Sequence, residues 1–380
     1  VYFSKISGNV GQYGFKSDEK MKWRIAGINF DHFHMGDLLR MAHDHPGAEI
    51  VGISDEHPGR MEAARRNFGL GPELVFTDYR ECLEKTRPDL VILCPAAARH
   101  AEWVEKVAPF GVHVLVEKPF AASLSEADRM IAAMAGSCIR GIASQLAINW
   151  PLAWFRSHVR CHSLIRSGAI GEVCEVHFYD GNRGPLWHGA DKIEHEPTDT
   201  EKDASWFYKA AEGGGSLQDY LGYGTTLGTW FNGGQRPTEV MAMWDLKPDG
   251  LLEVDEHSIT MVRYANGLSK FETRWGTLSD PWTHQPQPKC GFVIKGSEGT
   301  LASGDYDDYV TLQTRACPEG QRIEAPELVF PFSNPVAYFL DCLEHGRPIE
   351  GPLSVTTSRI GQEIVDAAQE SAWTGRVVGI

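Results

Sequence analysis

The stretch Leu115-Val116-Glu117-Lys118-Pro119-Phe120 reads LVEKPF and closes an apolar run, VHVLV, that begins at Val112. Such a continuous run predicts a strand buried on both faces, as in parallel sheets covered by helices. It stops on an acid, a lysine and a proline. Strands often end on such residues for no chemical reason. A lysine at the carboxyl edge of a parallel sheet, however, also stands where open α/β sheets bind ligands. The flanking sequence decides between the two readings.

Upstream, KWRIAGI (22–28) reads as a first strand, residues 34–45 as a helix, and AEIVGIS (48–54) as a second strand ending at Asp55. A helix follows at 58–68 with Pro58 in its first turn. Val75-Phe76 is a brief strand, and Asp78 caps a helix over YRECLEK. LVILC (90–94) is a continuous apolar strand, and a helix spans 99–110. Beyond LVEKPF, Ser123 and Glu126 form a capping box for another helix, and LAINW (146–150) is a last strand. The alternation predicts an α/β chain whose residues 21–150 form a doubly wound parallel sheet of the Rossmann type.

After about Pro151 the pattern changes. A helix at 152–167 precedes the alternating segments EVCEVHFYD, TEVMAMWDL, HSITMVRYA, LSKFETRWG and CGFVIKG, with turn signals such as Asn266-Gly267 between them. This predicts an α+β domain over 151–380 with a large, mostly antiparallel sheet, serving substrate binding and oligomerisation. Two helices, at roughly 334–345 and 354–372, close the chain. SCIRGIASQ (137–145) is long for a link between a helix and a strand.

The 380 residues are 42% hydrophobic and 23% charged, enough for two ordinary cores. The formal net charge of −15 argues against nucleic acid or an anionic membrane as partner. Eight cysteines without a C-x-x-C pair read as thiols of a reducing, cytoplasmic compartment. No stretch approaches the ~18 apolar residues of a membrane span. Residues 1–20 lack the apolar centre of a signal peptide and read as a disordered extension or a misassigned start.

Strand one runs into Gly27-Ile28-Asn29-Phe30-Asp31-His32. A dinucleotide-binding turn reads G-x-G-x-x-G, and only Gly27 keeps its place. Asn29 tolerates the left-handed backbone of a tight turn, whereas His32 would loosen helix–strand packing. Asp55 is placed to accept ribose hydroxyls and repel a 2′-phosphate, with Glu56 adding repulsion and His57 and Arg60 offsetting it. That favours NAD over NADP. CPAAARH (94–100) places Pro95 and His100 at the same edge. The cofactor candidates are thus Gly27, Asn29, Phe30, Asp31, His32, Asp55, Arg60, Pro95, His100, Glu117, Lys118 and Asn149.

Beside a nicotinamide, Lys118 would be tuned to exchange a proton with a hydroxyl or carbonyl oxygen. In GGGSLQDYLGYG (213–224), Asp219 and Tyr223 are four apart and share a helix face. A carboxylate and a phenol there make a substrate clamp, and Lys118 is the cation the phenol needs to act as a base. The other reading packs Tyr220 and Tyr223 in the core. Trp150, and Arg183, Trp187 and His188 from YDGNRGPLWHG (179–189), are candidates for substrate contacts, because aromatic faces beside polar side chains suit a sugar. His188, Asp191, Glu194 and His195 fit no regular zinc spacing, so no metal is expected.

VEKPF, CPxxxRH and GGG-S-L-x-D-x-x-x-Y together resemble the Gfo/Idh/MocA oxidoreductases, from about residue 22 to the closing helix SRIGQEIVDAAQESAWTGRVV. The resemblance implies an NAD-dependent enzyme acting on CH–OH groups of sugars, cyclitols or their derivatives. It makes Lys118 catalytic, with Asp219 from the second motif. Tyr223 stands where the family usually has histidine, a departure similar to glucose–fructose oxidoreductase. Alternatives are an NAD-dependent glycosidase or sugar–sugar oxidoreductase that keeps its cofactor bound, and a non-catalytic sensor of NAD or a sugar. The broad sheet predicts a homodimer or homotetramer.

Overall fold

A computed structural model describes residues 22–187, 193–246 and 252–380; the expected 1–20 extension and His188 lie outside these residues. The first part alternates β1 (Trp23–Ile28), α1 (Met35–Asp44), β2 (Ala48–Ser54), α2 (Pro58–Asn67), β3 (Val75–Phe76), α3 (Tyr79–Thr86), β4 (Leu90–Leu93), α4 (His100–Val107), β5 (His113–Glu117) and α5 (Leu124–Ala135). A hairpin of β6 (Cys138–Ile139) and β7 (Ile142–Ala143) leads to β8 (Leu146–Asn149). Six of these strands form one parallel sheet in the order β3-β2-β1-β4-β5-β8. β4, β5 and β8 are buried at every position, which is why they read as unbroken apolar runs. Asp78 accepts from the Arg80 amide at 2.8 Å, and Ser123 from the Glu126 amide at 3.2 Å, as capping chemistry requires. The strand order reverses between β1 and β4, so a crevice opens at their carboxyl ends.

The surplus length at 137–145 is the β6–β7 hairpin. It turns at Arg140 and Gly141, with φ of 49° and 79°, and the Arg140 guanidinium donates to Asp89 at 2.6 Å.

The second part contains α6 (Arg156–Arg166), β9 (Val173–Asn182), α7 (Asp199–Ala204), α8 (Ser216–Phe231), β10 (Glu239–Trp244), β11 (His257–Tyr264) and β12 (Gly267–Trp275). It continues through β13 (Gly291–Gly296), β14 (Gly299–Gly304), β15 (Tyr309–Thr314), β16 (Cys317–Glu324), α9 (Pro335–Glu344), α10 (Val355–Thr374) and β17 (Val378–Gly379). Nine strands form a sheet in the order β16-β15-β14-β13-β9-β12-β11-β10-β17, and only β9–β12 is parallel. The sequence reading named five of them. β16, CPEGQRIE, escaped because an edge strand exposed along most of its length carries no apolar alternation.

One sheet face lies under α8. Gly224 and Gly228 bring that helix onto Phe271, where an added Cβ would come within 2.9 and 3.1 Å of the ring. The opposite face leaves Met241, Met243, Ile259, Met261, Leu268 and Val293 exposed. Helix α10 reaches back to the first sheet. Gln362 Oε1 accepts from the Ala121 amide at 3.2 Å, Asp366 from the Leu124 amide at 2.7 Å, and Arg359 pairs with Asp128 at 2.7 Å. No helix among the described residues is long and apolar enough to cross a membrane.

Candidate active site

Strand β5 delivers Glu117 and Lys118 to the crevice, and the Lys118–Pro119 peptide is cis. The two side chains part. Glu117, wholly buried, accepts from Asn149 Nδ2 at 2.7 Å and faces His34 Nδ1 at 2.8 Å. Burial alone would raise its carboxyl; His34, Lys118 and the Asn149 amide outweigh that and hold it below the usual carboxylate range. Lys118 Nζ donates instead to Asp219, on the first turn of α8. Nζ lies 5.7 Å from the Tyr220 ring centre and 5.6 Å from that of Tyr223.

Lys118, Asp219, Tyr220 and Tyr223 thus line a cavity of about 240 Å³, together with His32, Phe155, Asp180, Asn182, Phe207 and Tyr306. Tyr223 meets the Trp150 ring edge-on, 5.5 Å between centres. Burial first, then Glu117 and Asp219, pushes its phenol well above its ordinary range. That direction keeps the phenol protonated near neutrality. Asn182 donates to the Tyr220 hydroxyl.

At the β1–α1 turn, Asn29 has φ 66° and takes a glycine's conformation. Gly27 abuts α1, where a Cβ would meet Met35 Sδ at 3.0 Å and Leu39 at 3.1 Å. His32, expected to loosen helix–strand packing, is buried at the end of the turn. Its amide donates to Cys94 O at 2.9 Å, and its ring stacks on Phe33 and meets Phe207 edge-on. Asp55 accepts from the Phe30 and His57 amides, both at 2.7 Å, and so fixes the turn. Arg60 pairs with Asp31 and lies 3.8 Å from Asp55. Asn29, Asp31, Asp55, His57 and Arg60 line a second cavity of about 100 Å³. Asn149 Oδ1 is buried without a partner among the described residues. A left-handed turn at the strand switch, an acid closing β2 and a spare buried acceptor beside Glu117 fit a dinucleotide lying across the crevice.

Several candidates fall elsewhere. Trp150 is fully buried beneath Tyr223, its Nε1 donating to Ser358 at 2.9 Å, so it supports the cavity and does not line it. Arg183 donates to Asp280 at 2.7 Å and lies 4.3 Å over the Trp187 ring; neither lines the cavity. His100 is buried and not solvated. Buried between Pro95 O at 3.1 Å and Phe120 O at 3.2 Å, it ties the β4 and β5 loops together, and burial lowers its pKa. Sequence reasoning missed Asp180, Asp305, Phe155 and Tyr306. The sole signal for Asp180 was an acid closing the otherwise alternating strand EVCEVHFYD.

Residues 21–138 match the family described as "Oxidoreductase family, NAD-binding Rossmann fold", and residues 158–302 match the "GFO/IDH/MocA C-terminal domain". D-apiose dehydrogenase from Paraburkholderia graminis is 33% identical over 139 residues, 37% of this chain and 35% of that protein. Inositol 2-dehydrogenase from Salmonella typhimurium is 26% identical over 153 residues, 40% of this chain and 43% of that protein. Both matches span less than half of the relative. Aldose-aldose oxidoreductase from Caulobacter crescentus, solved with glycerol, superposes with a TM-score of 0.74 over 94% of this chain and 100% of that chain, at 16% identity. That likeness is one of fold.

Proposed function

The chain belongs to the Gfo/Idh/MocA family of oxidoreductases, with an NAD-binding Rossmann fold, and on that premise we propose that it moves a hydride between NAD and a hydroxyl or carbonyl carbon of a sugar or cyclitol. The observation that carries this reading is the buried Lys118–Asp219 pair in the lining of a cavity beside the crevice. Two relatives are named for a sugar and a cyclitol.

Gly27, Asn29, Phe30, Asp31 and His32 would cradle the dinucleotide at the turn, with Asp55 and Arg60 at its adenosine end and Pro95, Glu117 and Asn149 toward the nicotinamide. Bound there, the nicotinamide supplies the two-electron acceptor or donor. Lys118 Nζ commits one hydrogen bond to Asp219 and turns its other positions toward the substrate oxygen, where it exchanges the hydroxyl proton. Asp219 holds Nζ in that position. Tyr223, protonated, donates to the same oxygen as charge develops on it. Phe207 and Phe155 exclude water and offer faces to the C–H side of a sugar ring.

The exposed apolar row of β10, β11 and β12 meets the same row of a second copy in this reading, because so large an apolar face is costly to leave wet. Sedimentation equilibrium tests it: a monomer at all concentrations removes the dimer.

The decisive experiment offers the purified chain NAD or NADP with a panel of sugars, polyols and glycosides and follows the reduced-nicotinamide absorbance. An NAD-dependent rise with a sugar or cyclitol is expected. Failure to bind either nucleotide overturns the reading. Consumption of a glycoside with no net rise replaces it with transient redox at the same residues.

A further inference from the structure

The cavity holds more carboxyl groups than proton exchange uses. Besides Asp219 its wall carries Asp180, near the end of β9, and Asp305, just past β14. Sheet register sets these two together, since Gly291 on β13 pairs with Tyr179 on one side and Gly304 on the other. Asp180, Asp305 and Cys290 offer oxygen and sulfur atoms within 4.8 Å of one another, all buried. Asp219 is neutralised by Lys118, and Asp305 faces His158 Nε2 at 2.8 Å. Asp180 is 7% exposed and forms no ion pair among the described residues; beside its carboxyl are the Gly181 amide and the Cys290 thiol. Burial, then Asp305 and Asp219, holds that carboxyl well above the usual range, against a weaker pull from Lys118.

The rest of the wall is aromatic. The Phe155 and Tyr306 rings lie 4.6 Å apart, and Trp282 lines the same cavity. Tyr306 has φ 62°, a conformation costly for a bulky side chain and retained where surrounding structure imposes it. A buried acid short of a cation, beside aromatic faces, is the chemistry that receives an ammonium group.

Resting on the hydride-transfer reading of this same site, we propose that the substrate carries a protonated amine: an amino sugar or aminocyclitol whose ammonium binds Asp180 and Asp305 while its ring lies along Phe155 and Tyr306. A neutral hydroxyl would give Asp180 a hydrogen bond but no charge. A metal ion is the competing cation. It would meet in Cys290 a thiol that burial, with Asp180 and Asp305, keeps protonated.

The test compares glucose, glucosamine and N-acetylglucosamine, and inositol with an aminodeoxyinositol, as substrates with NAD. N-acetylglucosamine keeps the nitrogen and removes the charge. The amine of at least one set should exceed its neutral partners by about tenfold or more in kcat/KM, the factor of one charge-assisted hydrogen bond. Asp180→Asn, close in shape, should collapse that ratio mainly by raising KM for the amine. Neutral partners used as well as amines by the wild type, or a ratio unmoved in Asp180→Asn, overturns the proposal. If no compound reduces NAD, the hydride reading has failed; calorimetric titration with glucosamine against glucose then decides amine recognition by itself. Stabilisation by Mg²⁺ or Zn²⁺ alone that Asp180→Asn abolishes assigns the acids to a metal and overturns the amine. Should Asp180→Asn not fold, the wild-type ratio alone decides.

Discussion

Lys118→Met keeps the length and apolar stem of the side chain and removes the ammonium. Lys118 and Asp219 are 3% and 4% exposed, and Asp219 has no other ion-pair partner among the described residues. Breaking a buried pair from one side costs about 3–5 kcal/mol, because the remaining charge is stranded. The double variant Lys118→Met/Asp219→Asn strands nothing, so most of that loss should return. Activity should not return with it: proton exchange by a positioned side chain is worth about 10²–10⁴ in kcat, and the double variant still lacks it. Stability and catalysis therefore separate across the cycle. Urea unfolding followed by tryptophan fluorescence, on wild type, both single variants and the double, reads the first. Initial rates of nicotinamide reduction on the preferred substrate read the second. A Lys118→Met enzyme within threefold of wild-type kcat refutes the proton role. A double variant no more stable than Lys118→Met refutes Asp219 as the stranded charge.

Tyr223→Phe keeps the ring against Trp150 and loses the donor; kcat should fall about 10- to 100-fold, the range of one hydrogen bond to a charged group, while nucleotide titration shows unchanged affinity. Gly361→Ala puts a methyl inside contact distance of Thr226 Oγ1 and 3.1 Å from Thr226 Cα, where α10 crosses α8; the urea midpoint should drop by the equivalent of about 1–3 kcal/mol. His113, on β5, is held by burial at about 4, from 6.5, against an opposing pull from Asp89. The unfolded chain thus binds the extra proton between those values, so the contribution of His113 is full above about pH 6.5 and is lost as pH falls through about 4. His113→Gln, which retains an acceptor for the Gln145 amide, should flatten that part of the stability–pH curve relative to wild type; a difference curve without slope between pH 4 and 6.5 would refute it.

What was legible in the sequence follows from distance along the chain. The parallel sheet announced itself because β4 and β5 bury every residue, and local apolar runs record that. Lys118 was legible because strand, acid, lysine and proline are adjacent. Asp219 and Tyr223 were legible as a helical pair. Asp180 and Asp305 were not, being 125 residues apart and joined only through the register of β9, β13 and β14. Arg183 looked free for substrate because its partner Asp280 is 97 residues on. Trp150 looked like a sugar platform because nothing local says that Ser358 will satisfy its indole N–H. Asn29 at a glycine position was the reverse case: a side chain tolerant of left-handed backbone predicted the turn, and the turn has it.

Helix α10 carries a consequence for how far the nucleotide-binding half is portable. The segment leaving Lys118 is fastened at Ala121 and Leu124 by Gln362 and Asp366, and α5 by Arg359 through Asp128. An excised N-terminal half would leave the Ala121 and Leu124 amides and Asp128 on α5 without their partners. Recombination that exchanged this half alone between relatives would inherit a mismatched fastening at the residue on which the chemistry is proposed to turn. In this chain the inheritable unit is residues 22–150 together with the stretch of α10 from Arg359 to Asp366, a module discontinuous in sequence and continuous in space.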